Sequence, residues 1–320
     1  ARCDARPRDP RSVTASSAAD PAGPPAQSQG RALAAFVLVA LIWGSTWLVI
    51  KDQVSAVPPS WAVTWRFLIA AAGMFALAAI RREKLLLSRQ GMLLAIPVGL
   101  FQFFGNFQLV YRAEQHITSG LVAVIFALLL VPNAVLARIF VGARVNGRFV
   151  AGTVVALGGI ALLLLHEYRA APAGTDEVLI GVALTACALL CASSANVLQA
   201  TELARRQSVV VVIAWAMLAG AIADAVLALT TAGPPVFDTS PRHLAGLFYL
   251  AIVGSVFTFP LYFALIRDWG PGKAAYNGVA VPVVAMTLST LFEGYRWTAL
   301  AAGGAALAMT GLLIALSGRK

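Results

Sequence analysis

A chain of 320 residues that is 59% hydrophobic and only 12% charged has too little polar surface for a water-soluble domain, which carries about twice that charged share. Its 24 Lys and Arg against 14 Asp and Glu leave a formal net charge of +10, but no basic stretch is interleaved with exposed aromatics, so nucleic acid is set aside as a partner. A polytopic membrane protein remains, because a hydrocarbon core about 30 Å thick asks for roughly 20 apolar residues per helix, and here one such run follows another.

Residues 1–30 come first, rich in Arg, Pro, Ser and Ala and without apolar periodicity. Such composition cannot offset the entropy of ordering, so a disordered cytoplasmic tail is expected. Asp4, Asp9 and Asp20 argue against a transit peptide. Ten apolar runs follow, near 32–50, 60–80, 91–111, 118–137, 149–166, 178–200, 209–230, 244–266, 274–291 and 298–316. They are continuous rather than alternating, which favours helices over barrel strands, and a helix satisfies its own backbone groups where hydrocarbon cannot. The expected fold is therefore an all-α membrane protein with ten transmembrane helices.

Ten spans put both termini on one side. On that side, counting tail, alternate loops and C-terminus, lie eighteen of the 24 Lys and Arg; Lys51, Arg112, Arg169, Arg242 and Arg296 lie opposite, and Arg66 lies inside a span. Basic residues collect on the cytoplasmic side. Both termini are thus expected in the cytoplasm, with the chain multi-pass in the cell membrane.

The two halves resemble one another at an offset near 150. Trp65 matches Trp215, Pro132 matches Pro282, and the Gly152/Gly159 pair has the spacing of Gly304/Gly311. Gly44-Ser45-Thr46 lines up loosely with Ala192-Ser193-Ser194. Five helices per copy is an odd number, so the second copy enters the membrane from the opposite side. Two inverted five-helix repeats can exchange conformations about a midplane cavity, the arrangement of secondary transporters.

Further residues carry a family resemblance. Ile42-Trp43-Gly44-Ser45-Thr46-Trp47, then Lys51, Val57-Pro58-Pro59 and Arg66-Phe67 resemble the opening of an EamA-domain transporter of the drug/metabolite transporter superfamily. The resemblance implies two tandem EamA units, here 32–166 and 178–317. It also implies a bacterial inner-membrane protein, since many bacterial members export amino acids or other metabolites. One departure is visible. A Gly-Glu-Arg-like turn between spans four and five is usual in the family. Gly142-Ala143-Arg144 lacks the Glu, while the second unit keeps Glu293 at the equivalent place.

Polar side chains inside the spans are the candidates for a substrate cavity, since leaving them unpaired in lipid is costly. They are Trp43, Ser45 and Thr46 in the first span, Gln102 and Asn106 in the third, and Asn133 in the fourth. Ser193 and Asn196 follow in the sixth, Tyr262 in the eighth, and Tyr276 and Asn277 in the ninth. Amides and hydroxyls would take a substrate's polar ends and aromatic rings its apolar parts. The competing reading is helix–helix glue, favoured for Ser and Thr and evenly balanced for Asn106, Asn133, Asn196 and Asn277. Pro132 and Pro282 are expected to kink their helices and are the candidate hinges. Arg66 reads as an anion-binding or gating charge, or as a structural Arg that snorkels or pairs with a carboxylate. Asp224 reads as a proton-coupling carboxylate or as the partner of Arg66 at similar depth.

His116, His166 and His243 show no metal spacing, and Cys3, Cys187 and Cys191 form no ligand set. There is no P-loop, metalloprotease pattern or triad. The expectation is a non-enzyme that needs no cofactor and no metal. It would be a secondary permease exporting a small metabolite, amino acid or amphipathic drug-like compound by alternating access. Its partners would be that substrate, membrane lipid and a candidate coupling proton. A nucleotide-sugar or sugar-phosphate carrier is the nearest alternative, and a lipid-directed membrane enzyme a more distant one; the first wants several cavity cations and the second clustered His, Asp or Glu.

Overall fold

A computed structural model describes residues 26–141, 146–170, 175–262, 264–265 and 274–317. Ten helices organise them: α1 Ala26–Ala56, α2 Pro59–Ile80, α3 Arg89–His116, α4 Ser119–Phe140 and α5 Gly147–Ala170. The second set is α6 Thr175–Gln199, α7 Val209–Thr231, α8 Pro241–Tyr262, α9 Asn277–Phe292 and α10 Ala299–Ser317. Among the described residues, nine helices are long and apolar enough to cross a membrane, and α9 is a shorter apolar helix. Exposed Leu41, Leu93, Ile139, Leu190, Ile222 and Leu291 would be a liability in water; around a lipid-embedded bundle they are the expected outer surface.

The ends of α1 and the end of α3 depart furthest from the sequence expectation, α1 running on to Ala56 rather than stopping near 50. Residues 1–25 of the expected tail lie outside the described residues, but 26–30 are helical and belong to α1. The third helix runs on to His116 rather than stopping near 111. Glu114 therefore lies inside a span and not in a loop.

Local chemistry fixes the helix ends. Ser88, Ser208 and Ser240 each accept a hydrogen bond from a backbone N–H three residues on, at Gly91, Val211 and His243, the bond an N-cap side chain makes. Pro59 opens α2 at a position where its missing N–H costs nothing. Both α2 and α7 end on a residue in the left-handed region, Arg82 (φ 55°) and Gly233 (φ 78°). These sit at equivalent places in the two halves.

The packing is reciprocal. Helix α2 lies on α7, α4 on α9 and α5 on α10. Contacts between non-equivalent helices come in matched pairs: α1–α8 with α6–α3, α1–α9 with α6–α4, and α2–α8 with α7–α3. A two-fold exchange of halves requires this pairing. Hydrogen bonds repeat it, since Trp65 Nε1 donates to Val236 O at 2.8 Å and Trp215 Nε1 donates to Leu85 O at 2.8 Å. A Cβ on Gly152 would meet Gly311 O at 2.6 Å, and one on Gly311 would meet Gly152 O at 2.6 Å. Each helix thus presses its glycines against the other's backbone, running antiparallel.

Connections alternate between two faces. The terminal face carries the starts of α1, α3, α5, α7 and α9 and the end of α10. The distal face carries the starts of the other helices. Distal turns meet one another through Asp52–Arg242, His116–Glu177 and Ser119–Glu293. On the terminal face, Ser208 donates to Glu83.

Candidate functional site

The two halves share an irregularity that no apolar run reveals. Gly99–Asn106 in α3 and Tyr249–Phe257 in α8 are wound as π-helix. They occupy equivalent positions, and such segments are frequent at functional sites because they free backbone groups and re-aim side chains. In α8, the carbonyl of Gly254 accepts a hydrogen bond from Trp43 Nε1 at 3.2 Å. Trp43 lies thirteen residues from either end of the Gly30–Ala56 span, hence near mid-bilayer at 1.5 Å per residue.

Around that point α1, α2, α3 and α8 converge. The Trp43 ring packs on Phe259 and Tyr262 at 5.7 and 4.9 Å between centroids. Trp47 packs on Phe126 of α4 at 5.3 Å. Ser45 Oγ reaches the Tyr249 hydroxyl at 2.7 Å, and Thr46 Oγ1 donates to Trp43 O at 2.7 Å. For Ser45 and Thr46 the outcome is glue between α1 and α8 and within α1.

Arg66 enters the same region from α2 and is 4% exposed, so it does not snorkel. Its Nη1 donates to the Tyr111 hydroxyl at 3.1 Å, and its guanidinium lies over the rings of Phe107 (4.6 Å) and Phe67 (5.2 Å). Its buried Nε has no hydrogen-bond partner. Ion pairs among the described residues are His116–Glu177, Arg206–Glu202 and Arg242–Asp52, so no carboxylate pairs with Arg66. Two ring faces and the Tyr111 hydroxyl solvate the cation, and among the described residues no carboxylate is ion-paired with it.

Asp224 is fully buried, but its partner differs from the one considered from sequence. Oδ1 accepts from Gln108 Nε2 at 2.6 Å, and Gln108 Oε1 in turn accepts from Arg112 Nη1. A three-residue relay, Arg112 to Gln108 to Asp224, stands where an Arg66 pair was the alternative.

The amides divide. Asn196 Nδ2 donates to Asn133 Oδ1 at 3.3 Å, bridging α6 and α4. Asn106 and Asn277 are both 2% exposed, and Asn106 Oδ1 and the whole Asn277 amide are unpartnered. Gln102 Oε1 and Ser193 Oγ are likewise buried without partners. Glue does not account for these four. Tyr276 is half-buried and stands at the N-terminus of α9. Pro282 is buried inside α9, and Pro132 follows a 3₁₀ segment, Ala127–Leu129, that breaks α4. The terminal half of α4 is largely exposed past that break, at Val135 and Arg138 to Phe140, whereas Ser119 to Ile125 are all buried.

A cavity of about 310 Å³ opens on the terminal side, lined among others by Met74, Glu83, Ser208, Ile213, Phe259 and Ala264. None of the eleven expected cavity residues lines it. Among the described lining residues, Phe259 links it to Trp43, at 5.7 Å between ring centroids. The distal side, by contrast, is closed by polar contacts between the halves. Gln53 Nε2 donates to His243 O at 3.1 Å beside the Asp52–Arg242 pair. Sequence reasoning missed Gln53, Gln108, Tyr111, Glu114 and Tyr249. Gln108 and Tyr111 lie three residues apart on one face of α3, just past the flagged Gln102 and Asn106, and that second polar pair was the available signal.

The family model of EamA-like transporters matches residues 30–165 and again 179–317. Protein PagO of Salmonella typhimurium (strain LT2) is 28% identical, over 81% of this chain and 84% of its own length. An Escherichia coli (strain K12) protein named "Probable amino-acid metabolite efflux pump" is 26% identical, over 89% of this chain and 94% of its own. A solved structure entitled "Crystal structure of protein" superimposes with a TM-score of 0.65 at 21% identity, covering 89% of this chain and 96% of that one; it speaks for the fold alone.

Proposed function

The chain belongs to the EamA-like transporter family, and on that premise we propose that it exports a small amphipathic metabolite bearing an acidic group, an amino acid being the simplest, by alternating access. That it is a multi-pass membrane permease with bacterial relatives is the premise; substrate, direction and orientation are the proposal. The terminal face is taken as cytoplasmic and the distal face as external, from the distribution of Lys and Arg.

One observation carries the reading: two reciprocally packed halves meet around a buried Arg66 that no carboxylate pairs among the described residues and that Phe67, Phe107 and Tyr111 wall. A carboxylate would supply the missing anion with charge-assisted bonds. The aromatic cluster of Trp43, Phe259 and Tyr262 would take an apolar side chain. Unpartnered Asn106 and Asn277 remain to bind the rest. A nucleotide-sugar carrier would want several such cations, and this region offers Arg66 alone. Kinked α4 and α9 serve as hinges through Pro132 and Pro282, and a coupling proton is assigned to no residue.

The test uses purified protein in liposomes loaded with each proteinogenic amino acid. Efflux of at least one, abolished by Arg66→Gln and weakened by Asn106→Ala or Asn277→Ala at normal protein level, is the expected result. Efflux untouched by all three substitutions overturns the assignment. Labelling a cysteine at Val54 by an external impermeant reagent, with one at Leu86 needing permeabilised cells, checks the orientation.

A further inference from the structure

The α3–α4 turn on the distal face is held by half-buried charges from two directions. From α1, Lys51 Nζ donates to the carbonyls of Glu114 and of Ile117, the latter at 3.1 Å. From the end of α9, Glu293 accepts from Ser119 Oγ at 2.6 Å and from the Ser119 backbone N–H at 3.3 Å. A cation thus sits on the C-terminus of α3 and an anion on the N-terminus of α4, each complementing the helix end it touches. Between them lies Glu114, 0% exposed, with neither carboxylate oxygen hydrogen-bonded. The charges acting on it are Lys51 of α1, Glu293 beyond α9 and Arg66 of α2. Two acids and a lysine, each from a different helix end, therefore close on one two-residue turn.

Packing agrees that this face is shut. Helix α1 packs along the distal halves of α3 and α4, while no comparable packing joins α6 to α9 among the described residues. The repeat then supplies a comparison within the molecule. At the offset of 150, Lys51 corresponds to Thr201, Glu114 to Ala264 and Glu293 to Ala143. Thr201 caps its own short helix at Ala204, Ala264 lines the terminal-side cavity, and Ala143 lies outside the described residues. None of the three can carry a charge. Among the described residues, the lock has no counterpart in the other half of the duplication.

We propose that Lys51, Glu114 and Glu293 form the lock of the distal gate, and that its one-sidedness sets the resting carrier to the state open on the terminal face. The inference rests on the alternating-access reading above. Were both faces latched alike, the two access states of an inverted repeat would be near-equal in free energy. A charged lock on one face stabilises its closure, and solute binding must supply the difference before the face opens. Lys51 and Glu293 act by position: they hold a turn and touch no substrate.

The experiment uses the full-length protein with Cys3, Cys187 and Cys191 replaced by Ser, in membranes, with one of two reporter cysteines. Ala123→Cys lies buried one turn into α4 behind the lock, and Ala264→Cys lines the terminal-side cavity. With the lock intact, an impermeant maleimide applied to the distal side labels position 123 slowly. Lys51→Met and Glu293→Gln should each raise that rate about tenfold or more, the population change expected from losing charge-assisted hydrogen bonds. Labelling of position 264 from the other side should fall. Lys51→Arg should restore the slow rate, and the milder Ser119→Ala should raise it several-fold, so the test survives if a charge variant fails to fold. Labelling at 123 unchanged in Ser119→Ala and in whichever charge variants reach the membrane overturns the lock. If the lock-intact protein moves no substrate yet the labelling shifts as described, the lock stands and the transport reading fails instead.

Discussion

The seam between α5 and α10 and the convergence of α1, α2, α3 and α8 are built from opposite materials. In the first, Gly152, Gly159, Gly304 and Gly311 bring backbone against backbone; a Cβ on Gly159 would lie 2.2 Å from Ala308 N. Contact there is apolar, reciprocal and without spare volume. In the second, aromatic rings, π-helical turns and a buried Arg66 meet, with the Asn106 amide oxygen unpartnered. Backbone-to-backbone contact has one good geometry, while ring and amide contacts have several. The difference separates a part that must stay fixed while the carrier works from a part that must rearrange.

The largest effect should come from breaking the fixed part. Gly159→Leu places a side chain where the partner backbone already lies, and neither helix can withdraw without losing the seam. It should abolish monodisperse purification or lower stability by ~3 kcal/mol or more. The neighbouring Gly158→Leu is the control, because its nearest foreign atom is a flexible Leu307 Cδ2 at 3.8 Å. Chromatography and thermal melts of the pair decide it, and equal behaviour would remove the distinction between the regions.

Next comes the rearranging part. Arg66→Gln removes the charge and leaves a shorter polar amide in its place. Efflux of a carboxylated substrate should fall by about ten- to a hundredfold, the worth of a charge-assisted bond, with the melting temperature held or raised. Arg66→Lys should recover part of the loss, since it restores a cation without the planar fork. A large loss of stability instead would make Arg66 part of the scaffold.

Much of this contrast was legible before any coordinates. The ten apolar runs give the helices, because lipid leaves the backbone no alternative. Trp65 with Trp215, and the two glycine pairs, give the repeat, because equivalent close contacts need equivalent residues. What was hidden is tertiary. Glu114 reads as a loop residue because charge marks a helix end in a hydropathy scan, yet Lys51 and the end of α9 enclose it. The π-helical turns leave no compositional trace, since Gly99–Asn106 and Tyr249–Phe257 share little beyond small and aromatic residues. Asp224 looked toward Arg66 by depth alone; that Gln108 intercepts it depends on how α3 is wound.

A smaller effect sharpens the symmetry behind the comparison. Trp65 and Trp215 each donate one hydrogen bond, to Val236 O and Leu85 O, both at 2.8 Å. These bonds sit on opposite faces and coexist, so they brace α2 against α7 and do not alternate. Trp65→Phe and Trp215→Phe should each cost ~1 kcal/mol and by similar amounts, read as matched shifts in melting temperature. Transport should follow stability alone; a selective loss in one variant would place that bond in a gate.

The smallest effect belongs to a residue outside both regions. Asp238 lies in the α7–α8 connection, where the backbone N–H and the hydroxyl of Ser240 donate to its carboxylate at 2.8 Å each. Those bonds hold its pKa below the ordinary Asp value. A carboxyl depressed in the folded state contributes its stabilisation above the unfolded pKa of about 3.9 and loses it as pH falls through the lower folded value. Between pH 8 and 5 nothing should therefore change, and Asp238→Asn should differ from the parent slightly at neutral pH and converge with it only in acid. Melting temperatures of the two proteins from pH 3 to pH 8 check this.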